Sequence, residues 1–177
     1  IDVLYAAKEV CRFMSKPTDL AMGALTRLAR YLRARPRMVF DFEYQSAEGL
    51  ECYTDTDRAG CARARKSTSG GCLMVGKHLI KAWSATQASI ALSSGEAEYY
   101  GVVRGAGIAL GMQALYKDIG LGLPIRVWTD SSAAIGIGGR QGLGKLRHVE
   151  CHSLWVQQRL RRREFRLLKV AGEFESR

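Results

Sequence analysis

The first 36 residues carry apolar side chains at the spacing of two amphipathic helices. In residues 2–14 the apolar positions recur every three or four residues, which places them on one helical face. After a break, Thr18 is placed to cap a second helix, which Pro36 bounds. Its other face and C-terminal end carry Arg27, Arg30, Arg33, Arg35 and Arg37. This arginine surface is compatible either with solvent or with a nucleic-acid backbone.

Residues 37–44 then alternate between apolar and polar side chains, which predicts a strand. The polar stretch QSAEG follows, and it predicts a boundary between a helical segment, residues 1–48, and a second unit, residues 49–177. Along the second unit the pattern predicts three strands, a long helix, a strand, two helices and a last strand. Short turns favour antiparallel pairing, and strands that return after helices favour parallel pairing. The predicted fold class is α/β, with a mixed five-stranded sheet flanked by helices.

The sequence also predicts where the strands and helices of the second unit begin and end. Its first strand ends at Asp55, and a polar, basic loop leads from it to a β-hairpin. The long helix begins at Ser93 or Ser94 and runs to about residue 118, where Gly120 is the stop signal. The remaining predicted elements are a strand ending at Asp130, a short helix or turn over 131–139, a basic amphipathic helix over 148–163 and a last strand over 165–170.

The composition excludes several classes of protein. Hydrophobic residues make up 47% of the 177 residues, too many for a disordered chain, and no apolar run reaches the ~18 residues of a membrane span. The cysteines are odd in number and include no C-x-x-C pair, which argues against a zinc ribbon or a disulfide framework. Reduced thiols predict a cytoplasmic or nuclear protein that is not secreted. The net charge is +10, so the expected partner is a polyanion such as nucleic acid.

Three carboxylates, two aspartates and one helical glutamate, are placed where they can meet at one edge of the predicted sheet. Asp55 and Asp130 end the first and fourth strands, and ligands gather where strand ends lie side by side. Glu96 and Glu98 are predicted to lie in the first turn of the long helix, and a first-turn glutamate points back towards the preceding loop. Taken singly, each acid has an ordinary structural role, in a turn or near a helix dipole. Together they predict a divalent-cation site, because clustered carboxylates repel one another unless a cation neutralises them.

Several blocks of the sequence resemble the ribonuclease H domain of copia-type retrotransposon Pol polyproteins. The blocks are YTDTDRAG, RKSTSGG, IKAWSATQASIALSSGEAEYYG and VWTDSSAAIGI, and they follow the order of that family. The opening CRFMSKPTDLAMGALTRLARYLRARP resembles the connection after the reverse transcriptase, and LRHVECHSLWVQQRL resembles a late histidine-containing helix. The resemblance covers nearly the whole chain. It implies a ribonuclease H-like fold over residues 49–177, preceded by a small helical connection segment over residues 1–48.

Carried over residue by residue, the resemblance implies three catalytic metal ligands, Asp55, Glu98 and Asp130. Asp57 does not match the ligand position, and Glu96 points about 200° around the helix from Glu98. The implied cofactor is Mg²⁺, with two ions in a complete site and Mn²⁺ able to substitute. The implied reaction is hydrolysis of the RNA strand of an RNA–DNA hybrid.

The resemblance and the basic charge also imply contacts with nucleic acid. The candidate contacts directly after the first strand are Arg63, Arg65, Lys66, Ser67 and Thr68. The basic run Arg159–Arg163 is a further candidate, with a solvated helix face as the equal alternative. His148 is an auxiliary candidate, with a packing or helix N-terminal role as the alternative. The implied partners are an RNA–DNA hybrid and the reverse transcriptase domain of the same polyprotein, in a retrotransposon particle of the cytoplasm or in the nucleus.

The sequence departs from the family pattern at two places. Arg58 stands where the family has Trp, and Glu173 and Glu175 do not align with the family's fourth carboxylate, which is expected just beyond residue 177. Together with the start at Ile1, this predicts a piece of a longer polyprotein. Two functions stay open: a magnesium-dependent endonuclease, and a catalytically degenerate relic that binds nucleic acid. An integrase or transposase is disfavoured, because the helical Glu98 comes between the two aspartates.

Overall fold

A computed structural model gives the fold of this chain, and it describes residues 1–46, 48–61, 64–142, 144 and 153–170. In chain order the elements are α1 (Leu4–Cys11), α2 (Asp19–Ala34), β1 (Leu50–Asp57), β2 (Thr68–Val75), β3 (His78–Thr86), α3 (Ser94–Asp118), β4 (Ile125–Thr129), α4 (Ser132–Gly139), α5 (Trp155–Arg161) and β5 (Arg166–Lys169). From β1 onwards this is the predicted order of strands and helices.

The five strands form one sheet in the order β3-β2-β1-β4-β5. The pairs β1–β2 and β2–β3 are antiparallel, as their short connections require. The pairs β1–β4 and β4–β5 are parallel, and helices lie in the connections that return the chain to the same end of the sheet. The predicted mixed five-stranded sheet, flanked by helices and preceded by a small helical segment, is therefore confirmed.

The core lies between the sheet and α3. Alternate residues of β1 are buried from Leu50 to Thr56, which is the period of a strand with one covered face. On that face α3 comes very close to the strand: a Cβ added at Gly101 would lie 2.4 Å from Thr56 Oγ1, and one at Gly105 would lie 2.4 Å from Thr54 Cγ2. Only glycine permits this approach, so these two positions set the distance between the helix and β1.

The limits of α3 follow from local chemistry. Ser93 is the N-cap residue, and its Oγ accepts a hydrogen bond from the backbone N–H of Glu96 at 3.2 Å. The helix ends at Asp118, and Gly120 has a φ of +85°, the left-handed conformation that closes many helices. Both predicted limits are confirmed. The helix predicted over 148–163 begins outside the described residues, and within them α5 covers 155–161.

The N-terminal segment contacts the sheet through α1. Lys8 Nζ donates to Thr68 Oγ1 at 2.7 Å, and Arg12 Nη2 donates to Cys61 Sγ at 2.7 Å. Thr18 caps α2, since its side chain accepts from the N–H of Ala21, as the sequence predicts. Whether residue 48 is a domain boundary stays a prediction.

The strand predicted over residues 37–44 is wrong. The segment pairs with no strand of the sheet, and its apolar side chains are exposed, Val39 by 76% and Phe42 by 62%. The segment contacts the sheet through a side chain, since the Phe42 ring meets the His78 ring edge-on at 5.0 Å. The next residue, Gln45, donates from its Nε2 to the carbonyl of Val75. Alternation describes a chain with two faces, but a strand also needs a neighbour whose backbone completes its hydrogen bonds.

Across the described residues, none of the helices has the length and apolar character to cross a bilayer. Cys11, Cys52, Cys61 and Cys72 are not in disulfides. Burial raises the pKa of the Cys52 thiol to about 12, so this cysteine behaves as an apolar core residue.

Candidate active site

Three carboxylates meet at the end of the sheet where β1 and β4 finish. Asp55, Glu98 and Asp130 each offer an oxygen, and these oxygens all lie within 4.8 Å of one another. Asp55 and Asp130 are exposed, whereas Glu98 is half-buried. Asp55 lies in β1, Asp130 directly follows β4 and Glu98 lies in α3, so it is the tertiary structure that brings them together. We call this group the carboxylate cluster.

The two aspartates reach the cluster from neighbouring parallel strands. Asp130 directly follows β4, as predicted. Asp55 does not end its strand, because β1 continues to Asp57 through its antiparallel pairing with β2. The parallel pairing with β4 stops earlier, at Tyr53 opposite Trp128. Asp55 therefore lies just past the last residue pair that β1 forms with β4, and its side chain is accessible there although the strand runs on.

Glu98 reaches the cluster from the second turn of α3 and not from the first turn, where the sequence predicted it, because the helix begins at Ser94. Gly101 lies one turn further along the same helical face, and its contact with Thr56 brings that face against β1. Glu98 Oε2 is buried and has no hydrogen-bond partner within the described residues. A buried carboxylate oxygen without a donor is costly, by about 1–3 kcal/mol. This atom therefore points to a cation as the missing partner.

The electrostatics of the cluster agree with this geometry. Burial, and then the charges of Asp55 and Asp130, raise the pKa of Glu98 from 4.5 to about 7, while the backbone of Thr56 acts in the opposite direction. Both dominant causes disfavour the ionised carboxylate. A divalent cation removes both, because it neutralises the like charges and coordinates the buried oxygen. The three acids can hold a metal, and their all-oxygen donor set suits a hard cation.

The other two candidate acids have structural roles. Glu96 is fully buried and faces away from the cluster, where it accepts hydrogen bonds from the N–H of Leu92 at 2.9 Å and from the hydroxyl of Tyr100 at 3.1 Å. Asp57 accepts the N–H of Thr68 and so closes the start of the loop after β1. The helical spacing separated Glu96 from Glu98 correctly.

Relatives of the chain are found among the proteins of mobile elements. The retrovirus-related Pol polyprotein from transposon RE1 of Arabidopsis thaliana is 30% identical over 135 residues, which cover 75% of the chain and 9% of that protein. The corresponding polyprotein from transposon TNT 1-94 of Nicotiana tabacum is 26% identical over 172 residues, 96% of the chain and 13% of that protein. The chain is a homologue of copia-type, retrovirus-related Pol polyproteins. It spans about a tenth of the length of these two relatives.

No protein-family model matches the chain. Among solved structures, LC11-RNase H1, isolated from compost by a metagenomic approach, is similar to it with a TM-score of 0.48 and 17% identity, over 71% of the chain and 86% of that protein.

Two loops of this Pol homologue are tied together beside the carboxylate cluster. Arg58 Nη2 donates to the carbonyl of Leu92 at 3.2 Å, and Lys66 Nζ donates to the carbonyl of Ala88 at 2.6 Å. These bonds join the loop after β1 to the loop before α3. Arg58, which departs from the family pattern, is thus explained as a link between loops. The sequence carries no signal for either contact, because each pairs a side chain with a distant backbone group.

A buried glutamine lies beneath these loops, and the sequence analysis assigned it no role. Gln87 Nε2 donates to Ser69 Oγ and to the carbonyl of Ala97, both at 2.8 Å, and the Gln87 N–H donates to the carbonyl of Ser67. It therefore connects β2, the start of α3 and the loop after β1. Gln87 is a polar residue in the block IKAWSATQASIALSSGEAEYYG, and this position within a family block is the signal that could have identified it.

The candidate nucleic-acid contacts after β1 are placed differently from one another. Ser67 and Thr68 are buried, and their hydroxyls accept hydrogen bonds from the N–H of Ala59 and from Lys8. Arg65 is exposed and Lys66 is partly exposed. The structure therefore leaves these two as the accessible members of the group, at the same end of the sheet as the cluster. Arg63 and His148 lie outside the described residues.

The run Arg159–Arg163 lies at the other end of the sheet. It precedes β5, which begins at Arg166 and runs parallel to β4. Because parallel strands begin at the same end, these arginines lie near the first residues of β1 and β4, whereas the carboxylate cluster lies beyond their last paired residues. The basic loop after β1 and the run Arg159–Arg163 are both sequence-based candidates for contact with phosphates, and the topology places them at opposite ends of the sheet.

Proposed function

We propose that the chain is a divalent-metal-dependent ribonuclease H that hydrolyses the RNA strand of RNA–DNA hybrids. The observation that carries this proposal is the carboxylate cluster, with the oxygens of Asp55, Glu98 and Asp130 within 4.8 Å at one end of a mixed sheet. The net charge of +10 favours a polyanionic substrate. Homology to Pol polyproteins and the resemblance to their ribonuclease H domain supply the substrate class.

Asp55, Glu98 and Asp130 would hold the metal, and Mg²⁺ is the expected ion, with Mn²⁺ as a substitute. The buried, unpartnered oxygen of Glu98 fits such an ion. A bound divalent cation would supply Lewis-acid stabilisation of the charge that develops on the phosphate oxygens. A complete site of this family holds two ions, and the resemblance places the fourth carboxylate beyond residue 177.

The protein's own residues would bind and orient the hybrid. Arg65 and Lys66 carry positive charge at the carboxylate end, where they can contact phosphates without reading sequence. Recognition of RNA would come from the 2′-hydroxyl and the shape of the minor groove. The reverse transcriptase domain of the same polyprotein is the proposed covalent neighbour, and the cytoplasmic particle or the nucleus the proposed location.

A cleavage assay with a matched pair of variants tests the proposal. Purified protein is incubated with an end-labelled RNA–DNA hybrid and Mg²⁺, with EDTA in parallel, and Asp55→Asn is compared with Asp57→Asn. We expect Mg²⁺-dependent cleavage by the wild type and by Asp57→Asn, because the amide side chain of that variant keeps an oxygen that accepts the Thr68 N–H. Asp55→Asn should be inactive although folded.

Two results would contradict the proposal. Equal activity of both variants would show that the carboxylate cluster does not take part in the reaction. Binding of the hybrid with a steep salt dependence, but no cleavage by this chain or by one extended to the next aspartate, would identify the non-enzymatic alternative, a nucleic-acid-binding relic.

A further inference from the structure

A concentrated positive surface lies at the end of the sheet away from the carboxylate cluster. It is formed by the end of α5 and the start of β5, and we call it the arginine patch. Its members are all exposed, and they are Arg159, Arg161, Arg162, Arg163 and Arg166. The proposed cleavage reaction gives these residues no part.

Most of this charge is not compensated by acids. Glu164 contacts Arg159 and lies 4.0 Å from Arg162, so one carboxylate serves two guanidinium groups. Within the described residues, Arg163 and Arg166 have no ion-pair partner. The patch therefore keeps a net positive charge at the surface, which is the electrostatic footprint of a polyanion-binding site.

The strand pairing adds a like-charge contact. Arg166 at the start of β5 lies directly opposite Arg126 of β4. Arg126 is paired with Glu51, but Arg166 has no such partner within the described residues. Like charges opposite each other on neighbouring strands are destabilising, so folding alone does not favour an arginine at this position. A bound anion would remove the penalty.

The backbone at Arg163 points to the same conclusion. The N–H of Arg163 donates to the carbonyl of Leu160, and the N–H of Glu164 to that of Arg159, which is the Schellman pattern that ends a helix. Arg163 occupies the left-handed position of this motif, with a φ of +56°. Glycine is the favoured residue there, since a Cβ is strained in this conformation. The helix dipole favours cations in the last turn, but it does not favour a strained arginine over glycine.

We infer that the arginine patch binds the phosphate backbone of a nucleic-acid duplex, and that another part of the same duplex occupies the carboxylate end of the sheet. Arg166 is level with Arg126, four residues before Asp130, so the patch begins roughly 13 Å from the cluster along the strand at about 3.3 Å per residue. With one phosphate per ~3.4 Å of each strand, the contact lies at least ~4 nucleotides from the cleavage position. The patch is a second, sequence-independent contact for substrates long enough to reach it.

This inference rests on the proposed function only for the position of the duplex, and binding can be measured without cleavage. Fluorescence anisotropy in EDTA compares the wild type with Arg161→Gln/Arg163→Gln/Arg166→Gln, on hybrids of ~6 and ~24 base pairs. A charge-matched control is Lys77→Gln/Lys81→Gln/Lys117→Gln, which removes three exposed lysines from other parts of the surface.

On the long hybrid, the arginine variant should lose about tenfold in affinity or more, and the slope of log K against log salt should fall by about 2–3. On the short hybrid, which is only just long enough to reach from the cluster to the patch, the loss should be much smaller. On the long hybrid the lysine control should lose less affinity than the arginine variant. Equal losses of affinity in the two triple variants would show that only the total charge of the protein matters, and this would overturn the inference. The inference would also be overturned if the arginine variant kept its affinity for the long hybrid and lost, instead, a binding of anionic lipid vesicles that the wild type shows.

Arg163→Gly separates binding from folding. Glycine relieves the left-handed strain, so the thermal midpoint should rise, while affinity for the long hybrid should fall. A fall in both would show that Arg163 serves the fold and would overturn its assigned role. If the wild type binds with the predicted length dependence but never cleaves, the proposed function fails while the arginine patch stands.

Discussion

The carboxylate cluster and the arginine patch lie at opposite ends of the sheet and carry opposite charges, and the protein positions these two groups in different ways. At the carboxylate end, three acids from separate elements are brought within 4.8 Å, and one of them is half-buried with its pKa raised to about 7. At the other end, the arginines are contiguous or nearly so in sequence and are all exposed.

The difference follows from what each charge has to do. A metal site requires ligands at fixed positions, so its acids are held by buried elements and by the close approach of α3 to β1. A contact with a phosphate backbone requires charge more than position, so flexible side chains on one helix end and one strand suffice. Changes at the carboxylate end should therefore alter chemistry and folding strongly, and changes at the arginine end should alter binding with little effect on the fold.

The largest effect is expected from Glu98→Gln. Loss of a metal ligand removes several kcal/mol of transition-state stabilisation, so cleavage should fall about a thousandfold or more. Glu96→Gln is the matched control two residues away. Its amide oxygen can accept the N–H of Leu92, and its amide NH2 can donate to the hydroxyl oxygen of Tyr100. Initial rates on a labelled hybrid at saturating Mg²⁺ measure both. If Glu98→Gln kept more than about a tenth of the activity, the cluster would not be the site.

The next effect is on folding, and it tests whether close helix packing holds the cluster. Gly101→Ala places a Cβ 2.4 Å from Thr56 Oγ1, which is closer than van der Waals contact allows, and we expect a loss of about 1–3 kcal/mol in the free energy of unfolding. Gly111→Ala in the same helix meets no neighbour and should stabilise by up to ~1 kcal/mol through helix propensity. Urea denaturation compares the two variants. Similar values for both would mean that the contact with β1 is not tight.

The pH dependence of stability isolates the charge of Glu98. Its pKa is about 7 in the folded protein and 4.5 ordinarily, so the folded state binds this proton more tightly. Its contribution is complete below pH 4.5 and is lost as the pH rises through 7. Without metal, the free energy of unfolding should fall by about 2 kcal/mol from this group, allowing for partial solvent exposure.

Two comparisons check this dependence. Glu98→Gln should lack the loss between pH 5 and 8, because no proton is released, whereas parallel curves for wild type and variant would assign it to other groups. Saturating Mg²⁺ should oppose the loss in the wild type, since the cation binds the ionised cluster.

The smallest effect is expected at the arginine end. Arg162 lies 4.0 Å from Glu164 and its side chain is 62% exposed, so the pair should contribute less than about 0.5 kcal/mol to stability. Arg162→Gln should leave the thermal midpoint and the cleavage rate on a short hybrid nearly unchanged. A clear loss of stability would show that the arginine patch has a role in the fold, and the contrast between the two ends would then be weaker.

The sequence predicted local structure correctly wherever the residues that interact are close together along the chain. The cap of α3 by Ser93 and the stop at Gly120 depend on local hydrogen bonds and on one residue's backbone freedom. The alternation in β1 is equally local, because successive side chains of a strand point to opposite faces. The segment 37–44 shows the limit, because its pattern is strand-like but no neighbouring strand accepts it.

The nucleic-acid candidates show the same limit. Ser67 and Thr68 follow a strand and precede the long helix in the expected order, yet their hydroxyls are buried and bonded within the protein. Burial is a property of everything that packs on a residue, including α1, which is some sixty positions away in the chain. Spacing along the sequence carries no such information.

The resemblance to a known family implied which three acids meet at the edge of the sheet. By itself, the local pattern of the sequence determined the order of strands and helices and the mixed character of the sheet, which follow from periodicity, capping and short connections that act within a few residues. Only the tertiary structure decided that Asp55 lies inside β1, that Glu98 is half-buried with an unpartnered oxygen, and that the arginines lie at the far end. Those properties depend on distances between elements, which are set by packing at positions such as Gly101 and Gly105.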